Sequence, residues 1–270
     1  MKQEDVASLI MRVRLKFGLR FSPREDYRCR QLAQSYLVTS GYKRIYHYHV
    51  RKTGGTSINH MFLALSGASG SQAFEALARS RDYRVTMDKK IFVGWNRRLI
   101  EQGNYYYAFS HIPAHQIKLP DQTFTITCLR DPVRRLLSYY NMLLDYREAE
   151  LFRPDLEIES KRLGDSFSDF IDKAPRKHLQ RQLYMFSANY DLQEALERIM
   201  NCSYLLFTDS LADDVADLAR ILGLDLHIEH TRRSTRNSSL TSADKRLAEI
   251  ALEPELRLFE ELRRLGLAQG

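Results

Sequence analysis

The stretch His49-Val50-Arg51-Lys52-Thr53-Gly54-Gly55-Thr56-Ser57 constrains this chain most. A β-branched and aromatic run, Ile45 to Val50, leads into it, and a helical run, Ile58-Asn59-His60-Met61-Phe62-Leu63-Ala64-Leu65, leaves it. A strand that turns through two glycines into a helix start makes an anion cradle. Glycine lets the backbone approach an oxyanion, and the N–H groups of the first helical turn have no intrahelical partner and point at it. Lys52 adds a point charge, and the Thr56 and Ser57 hydroxyls add donors. The expected ligand carries a phosphate-like or sulfate-like group.

The order of residues excludes two commoner phosphate loops. A Walker A motif has its lysine after the glycines, whereas Lys52 precedes Gly54 and Gly55. A Gly-x-Gly-x-x-Gly dinucleotide fingerprint needs separated glycines, and here they are adjacent. A second segment points to the same class of ligand. Phe124-Thr125-Ile126-Thr127-Cys128-Leu129 is short, apolar and β-branched, and reads as a buried strand. Arg130-Asp131-Pro132-Val133 follows, then a helical run through Ser138, Tyr139 and Tyr140. Asp131 is placed to cap that helix and Pro132 suits its first position. Arg130 then stands at the C-terminal end of a strand, the edge where ligands of open parallel sheets collect.

Together these two segments resemble the PAPS-dependent sulfotransferases (PAPS is 3′-phosphoadenosine 5′-phosphosulfate), and most closely their carbohydrate-type family 2 group. The loop of that group typically reads His-Ile-Pro-Lys-Thr-Gly-Gly-Thr-Ser. The present loop departs from it with Arg51 where proline is usual. The resemblance implies that Arg51, Lys52, Thr53, Gly54, Gly55, Thr56 and Ser57 hold the 5′-phosphosulfate. It also implies that Arg130 and Ser138 hold the 3′-phosphate. Weaker echoes run from about residue 44 to 264: Phe109-Ser110-His111, the segment His178 to Leu183, Leu205 to Asp209, and a polar loop over Thr231 to Ser239. Within that loop Arg236 is carried as a nucleotide contact, and a solvated basic turn explains it equally well. The implied fold is α/β, a mostly parallel sheet flanked by helices in a P-loop-like sulfotransferase architecture. The implied reaction moves a sulfuryl group from PAPS to a hydroxyl of a glycan, a glycolipid or another hydroxyl compound, with no metal.

Such a transfer builds negative charge on the bridging oxygen, so positioning and charge stabilisation dominate. Lys52 is the candidate to neutralise that oxygen. A hydroxyl acceptor must lose its proton, and histidine is a base poised for that near neutrality. His111 follows a strand end and is the first candidate; His115, four residues on, is the second. Arg51 either adds charge to the loop or faces solvent. His47 and His49 alternate on one strand face and, with His60, invite a metal-site reading, but no carboxylate lies at supporting spacing. The tyrosines at 46, 48 and 105–107 are read as strand packing rather than sugar platforms. The competing reading is a kinase-like phosphotransferase on a related frame. The lysine's position and the lack of a clear magnesium aspartate count against it.

A chain of 270 residues with net charge +7 fits one large α/β domain that favours an anionic partner. Nucleic-acid binding has only that charge behind it. Three widely spaced cysteines imply no disulfide framework, and no run reaches the roughly 18–20 apolar residues of a membrane span; a cytoplasmic enzyme is expected. The basic stretch Val6 to Phe21 could also touch an acidic membrane surface. Organisation along the chain reads as a helical extension over 1–43 and a single sulfotransferase domain over 44–270. Within that domain a short helix and a strand near 91–93 are expected. Strands follow at 105–110 and 123–129, a helix from Pro132 to about Arg147, and a loop-like segment over 148–165. Helices are expected to fill 166–200, then a strand at 203–208 and a helix over 210–222 ending at Gly223.

Overall fold

The structure is a computed structural model and describes residues 23–148, 154–228 and 240–268. Val6 to Phe21 and Arg236 fall outside the described residues. Six strands, β1 (Arg44–Tyr48), β2 (Arg84–Met87), β3 (Lys90–Gly94), β4 (Tyr107–Ser110), β5 (Thr123–Leu129) and β6 (Tyr204–Phe207), form one sheet in the order β2-β3-β4-β1-β5-β6. Only the β2–β3 pair is antiparallel. Helices cover both faces. β1 therefore runs as a continuous buried segment, Ile45, Tyr46 and His47 all being fully shielded, as a central parallel strand should.

Register fixes where the site lies. Tyr48, the last residue of β1, sits opposite Ser110 of β4 and Thr127 of β5, and Leu129 sits opposite Phe207 of β6. The residues that follow these ends, His49, His111, Arg130 and Thr208, consequently emerge along a single edge. This is the C-terminal edge at which α/β sheets bind ligands. The helix after β1, Gly55–Ala64, buries Ile58, Met61, Phe62 and Leu63, and it packs on the helix Gly70–Arg79. The contact is close: a side chain at Gly70 would lie 2.1 Å from the His60 carbonyl oxygen. The helix Pro23–Gln34 and the turn after it join this core through Ala33, Tyr36 and Val38, and the Tyr36 hydroxyl bridges the Lys89 carbonyl and the Ile91 amide.

The strands and helices around the two motifs fall where the sequence places them. Asp131 caps the amide of Arg134 and Pro132 opens the helix Pro132–Glu148. The helix Leu211–Leu222 stops at Gly223, which is left-handed. The tyrosines at 46, 105 and 107 are fully buried packing residues. The structure extends two of the expectations and corrects one. The region around 91–93 is a hairpin, with β2 turning into β3 through Asp88 and Lys89, both at positive φ (42° and 55°). That is a type I′ turn built without the usual Asn-Gly, which hides it from a composition reading. The loop-like segment 148–165 contains a helix, Pro154–Ser160, anchored by buried Leu156 and by Leu163 just beyond it. The helices expected over 166–200 are Phe167–Lys173, Arg176–Leu179, Arg181–Phe186 and Leu192–Met200, separated at Pro175, Gln180 and Ser187 to Asp191.

Candidate active site

The loop after β1 is a compact turn. Lys52 has φ 72° and Gly54 φ 81°, two left-handed residues separated by Thr53. Alternation of this kind curls successive amides into a concavity suited to an anion. A left-handed lysine costs about 1 kcal/mol or more, the kind of strain that persists at functional sites. Thr53 is buried, and its hydroxyl donates to the Val50 carbonyl at 2.9 Å, closing the turn. Gly54 is the N-cap of the helix Gly55–Ala64 and brings no capping side chain, so the first turn is left for another acceptor. Gly55 has a separate reason to be glycine: a Cβ there would fall 2.1 Å from Cδ2 and 2.4 Å from Nε2 of His49.

His49 is braced from behind. Asn59, fully buried on the helix, donates to His49 Nδ1 at 3.1 Å and accepts from the Tyr107 hydroxyl at 2.8 Å and from His47 Nδ1 at 2.9 Å. The His47 and His49 rings stack at 5.2 Å. Burial pushes His47 down to about 4 and holds His49 well below its ordinary value. Both are neutral near pH 7. They form a hydrogen-bonded wall with Asn59, while the His60 ring lies against Phe74, away from it.

The two sequence motifs meet here. Arg130 donates from its guanidinium to the Lys52 carbonyl at 3.2 Å, and its Nε is buried without a partner among the described residues. Burial, the largest influence, lowers its pKa. The backbone of Arg130 is gripped by a residue the sequence did not single out. Gln182, fully buried, accepts from the Arg130 amide at 2.8 Å and donates to the Arg130 carbonyl at 2.9 Å. Gln182 is itself held by Glu255, whose carboxylate accepts the amides of Gln182 (2.5 Å) and Leu183 (3.0 Å). Glu255 lies fully buried opposite Arg135, 3.8 Å away, and Arg135 donates to the carbonyls of His178 and Leu179. Ser138 is half-buried on the helix Pro132–Glu148.

His111 leaves β4 and donates from Nδ1 to the His49 carbonyl at 2.7 Å. That bond fixes the tautomer, leaving the neutral ring's lone pair on Nε2. The two rings lie 4.3 Å apart. His115 is placed differently. It sits in a short 3-10 turn, Ala114–Gln116, edge-on to Tyr184 at 5.3 Å, and burial lowers its pKa. His111 lines a cleft of about 440 Å³ with Arg51, Trp95, Lys177, Arg181 and Tyr184, and His115 does not. Arg51 is not turned to solvent. It pairs with Glu159 at 2.8 Å and lies over the Tyr139 ring at 5.9 Å. Glu159 also accepts from the Tyr139 hydroxyl at 2.9 Å. His178 approaches Glu159 at 3.9 Å, but burial keeps this histidine neutral near pH 7.

The sequence matches a known family. Residues 35–264 fit the sequence profile of the Sulfotransferase family. The chain belongs to that family and is a PAPS-dependent sulfotransferase. No curated protein matches its sequence. Among solved structures it is similar to retinol dehydratase in complex with androsterone and inactive cofactor PAP. That likeness is distant: 14% identity over 90% of this chain and 76% of the other, with a TM-score of 0.35.

Proposed function

We propose that this sulfotransferase moves the sulfuryl group of PAPS onto a hydroxyl of a carbohydrate or glycolipid acceptor, in the cytoplasm. The observation that carries the reading is the Arg130 hydrogen bond to the Lys52 carbonyl, which joins the two anion-binding segments at one edge. The uncapped helix start and the left-handed Lys52 fit a 5′-phosphosulfate, and the buried, unpartnered Nε of Arg130 fits a 3′-phosphate. Ser138 joins Arg130 in that role. The three cysteines, all free, suit a reducing compartment.

Each residue then has a task. The acceptor O–H gives its proton to Nε2 of His111 as the oxygen forms its bond to sulfur. The bond from sulfur to the 5′-phosphate oxygen breaks, and its electron pair stays on that oxygen, where the Lys52 ammonium and the loop amides stabilise the charge. His49 and Asn59 keep His111 in the tautomer that can accept a proton. PAP, which retains the 3′-phosphate, leaves afterwards.

Calorimetric titration with PAP, AMP and ATP–magnesium in parallel tests the reading. Tight PAP binding, far weaker AMP binding and no magnesium dependence are expected. A preference for ATP–magnesium would replace sulfuryl transfer with phosphoryl transfer. The Arg130→Ala variant should lose affinity for PAP while AMP is unaffected; equal loss for both would remove Arg130 from the 3′-phosphate.

A further inference from the structure

A carboxylate lies against the anion loop, where its charge works against anion binding. Glu159, on the helix Pro154–Ser160, has a side chain only 13% exposed, and its Oε1 lies 2.8 Å from Nη1 of Arg51. Its other oxygen accepts from the Tyr139 hydroxyl at 2.9 Å. Tyr139 follows Ser138 on the helix Pro132–Glu148, so the carboxylate is pinned between the two anion-binding segments. His178 comes within 3.9 Å of Glu159, but burial keeps that ring neutral near pH 7. Arg51 is therefore the cation that answers Glu159. A negative charge so placed repels any anion brought to the loop, so nucleotide binding alone does not account for it.

Arg51 is positioned to meet a second anion. Of the loop residues it alone lines the cleft that holds His111. The sulfuryl group crosses from the loop to a hydroxyl at that histidine, so the Arg51 guanidinium lies beside its path. The bond to Glu159 uses one nitrogen of a group with five N–H donors. The Tyr139 ring, 5.9 Å from the guanidinium carbon, backs it on one side. At 21% exposure Arg51 is shielded enough for both charges to act on it and open enough to reach a ligand.

Resting on the assignment of the loop to the 5′-phosphosulfate, we infer that Arg51 binds the oxygens of the transferring sulfuryl group and that Glu159, as its standing counter-ion, limits how tightly. An unopposed arginine would hold PAPS more firmly before reaction. Affinity of that kind does not speed the transfer, because the charge that develops in the transition state is on the bridging oxygen, at Lys52. Glu159 is a positioning residue: it fixes the guanidinium by one nitrogen while offsetting its pull. PAP lacks the sulfuryl group and leaves Arg51 to Glu159, so the pair distinguishes co-substrate from product.

Calorimetric titration of the full chain with PAPS and with PAP, at low salt and without acceptor, reads this as the ratio of PAPS to PAP affinity. Arg51→Gln should lower the ratio about tenfold, the loss of a charge-assisted contact to the sulfuryl group. Glu159→Gln keeps the size of the side chain, removes its charge and should raise the ratio about fivefold. Glu159→Asp keeps the charge and should stay within about twofold of the wild type. A brace with no electrostatic role would shift PAPS and PAP affinity alike, or lower the melting temperature alone. An unchanged or lowered ratio in Glu159→Gln therefore overturns the inference, as does an unchanged ratio in Arg51→Gln. Failure of the loop assignment shows separately, as equal affinity of the wild type for PAP and AMP.

Discussion

The loop at 49–57 and the helical segment at 176–186 meet at the cleft beside His111, and they are made in different ways. In the loop, nine consecutive residues supply the turn, the left-handed lysine, the closing Thr53 hydroxyl and the open helix start. The helical segment has no such self-contained pattern. Arg181, Gln182 and His178 gain their settings from partners far along the chain: His111, Arg130, Glu159 and Glu255. A contiguous segment can carry a recognisable signature because its geometry is local. A wall assembled from long-range hydrogen bonds carries none, although its residues control where the local motif's charges end up.

The sharpest way to test this contrast is to remove one functional atom from each side of it. His111→Ala should lower sulfate transfer by about three orders of magnitude, the scale of general-base catalysis, with PAP affinity nearly intact. Transfer measured with labelled PAPS decides it, and a fully active variant would move the base to His115 or elsewhere. Lys52→Ala should cost about a hundredfold in turnover, with a smaller loss in PAP affinity. Wild-type turnover in that variant would mean the loop binds without stabilising the leaving oxygen.

Gln182→Leu probes the distant bracing. It leaves the Arg130 amide and carbonyl without their buried partner, a penalty of about 1–3 kcal/mol for each group. We expect the ratio of PAP to AMP affinity to fall about tenfold, whereas a purely structural role would lower stability and leave that ratio unchanged.

The smallest expected effect is on pH dependence. His47 has a folded pKa of about 4 against an ordinary value of 6.5, and burial holds His178 low as well. Between these values the unfolded chain binds more protons than the folded one, so stability rises with pH. The contribution is fully present above about 6.5 and is lost as pH falls towards 4. The melting temperature should drop by several degrees between pH 7 and 5, and His47→Gln should flatten that slope. A slope unchanged in His47→Gln would place the acid sensitivity on His49 or on His178 of the helical wall.

Much of the fold was legible because parallel strands buried on both faces leave apolar, β-branched runs, and helix boundaries leave caps. β1, β5, the Asp131 cap and the Gly223 stop are of this kind. The β2–β3 hairpin was not legible, because its turn follows Asp88 with Lys89 at positive φ, where a glycine is the usual signal. The helix Pro154–Ser160 was missed because its polar composition hides Leu156, its buried anchor, and because Glu159 matters only once Arg51 and Tyr139 lie beside it.

The sequence by itself determined the residues of the edge: a glycine turn into an open helix start, a lysine beside it, an arginine after a second strand and a histidine after a third. Local rules decide all of these, since turn geometry, capping and strand ends act over a few residues. Only the tertiary structure decided how they combine. It set the register that brings three strand ends together, the carbonyl that fixes the His111 tautomer, and the Glu255–Gln182 bracing of Arg130. It also left the guanidinium of Arg181 buried beside His111. These depend on burial and on hydrogen bonds between distant segments, and no local pattern records which buried groups will find partners.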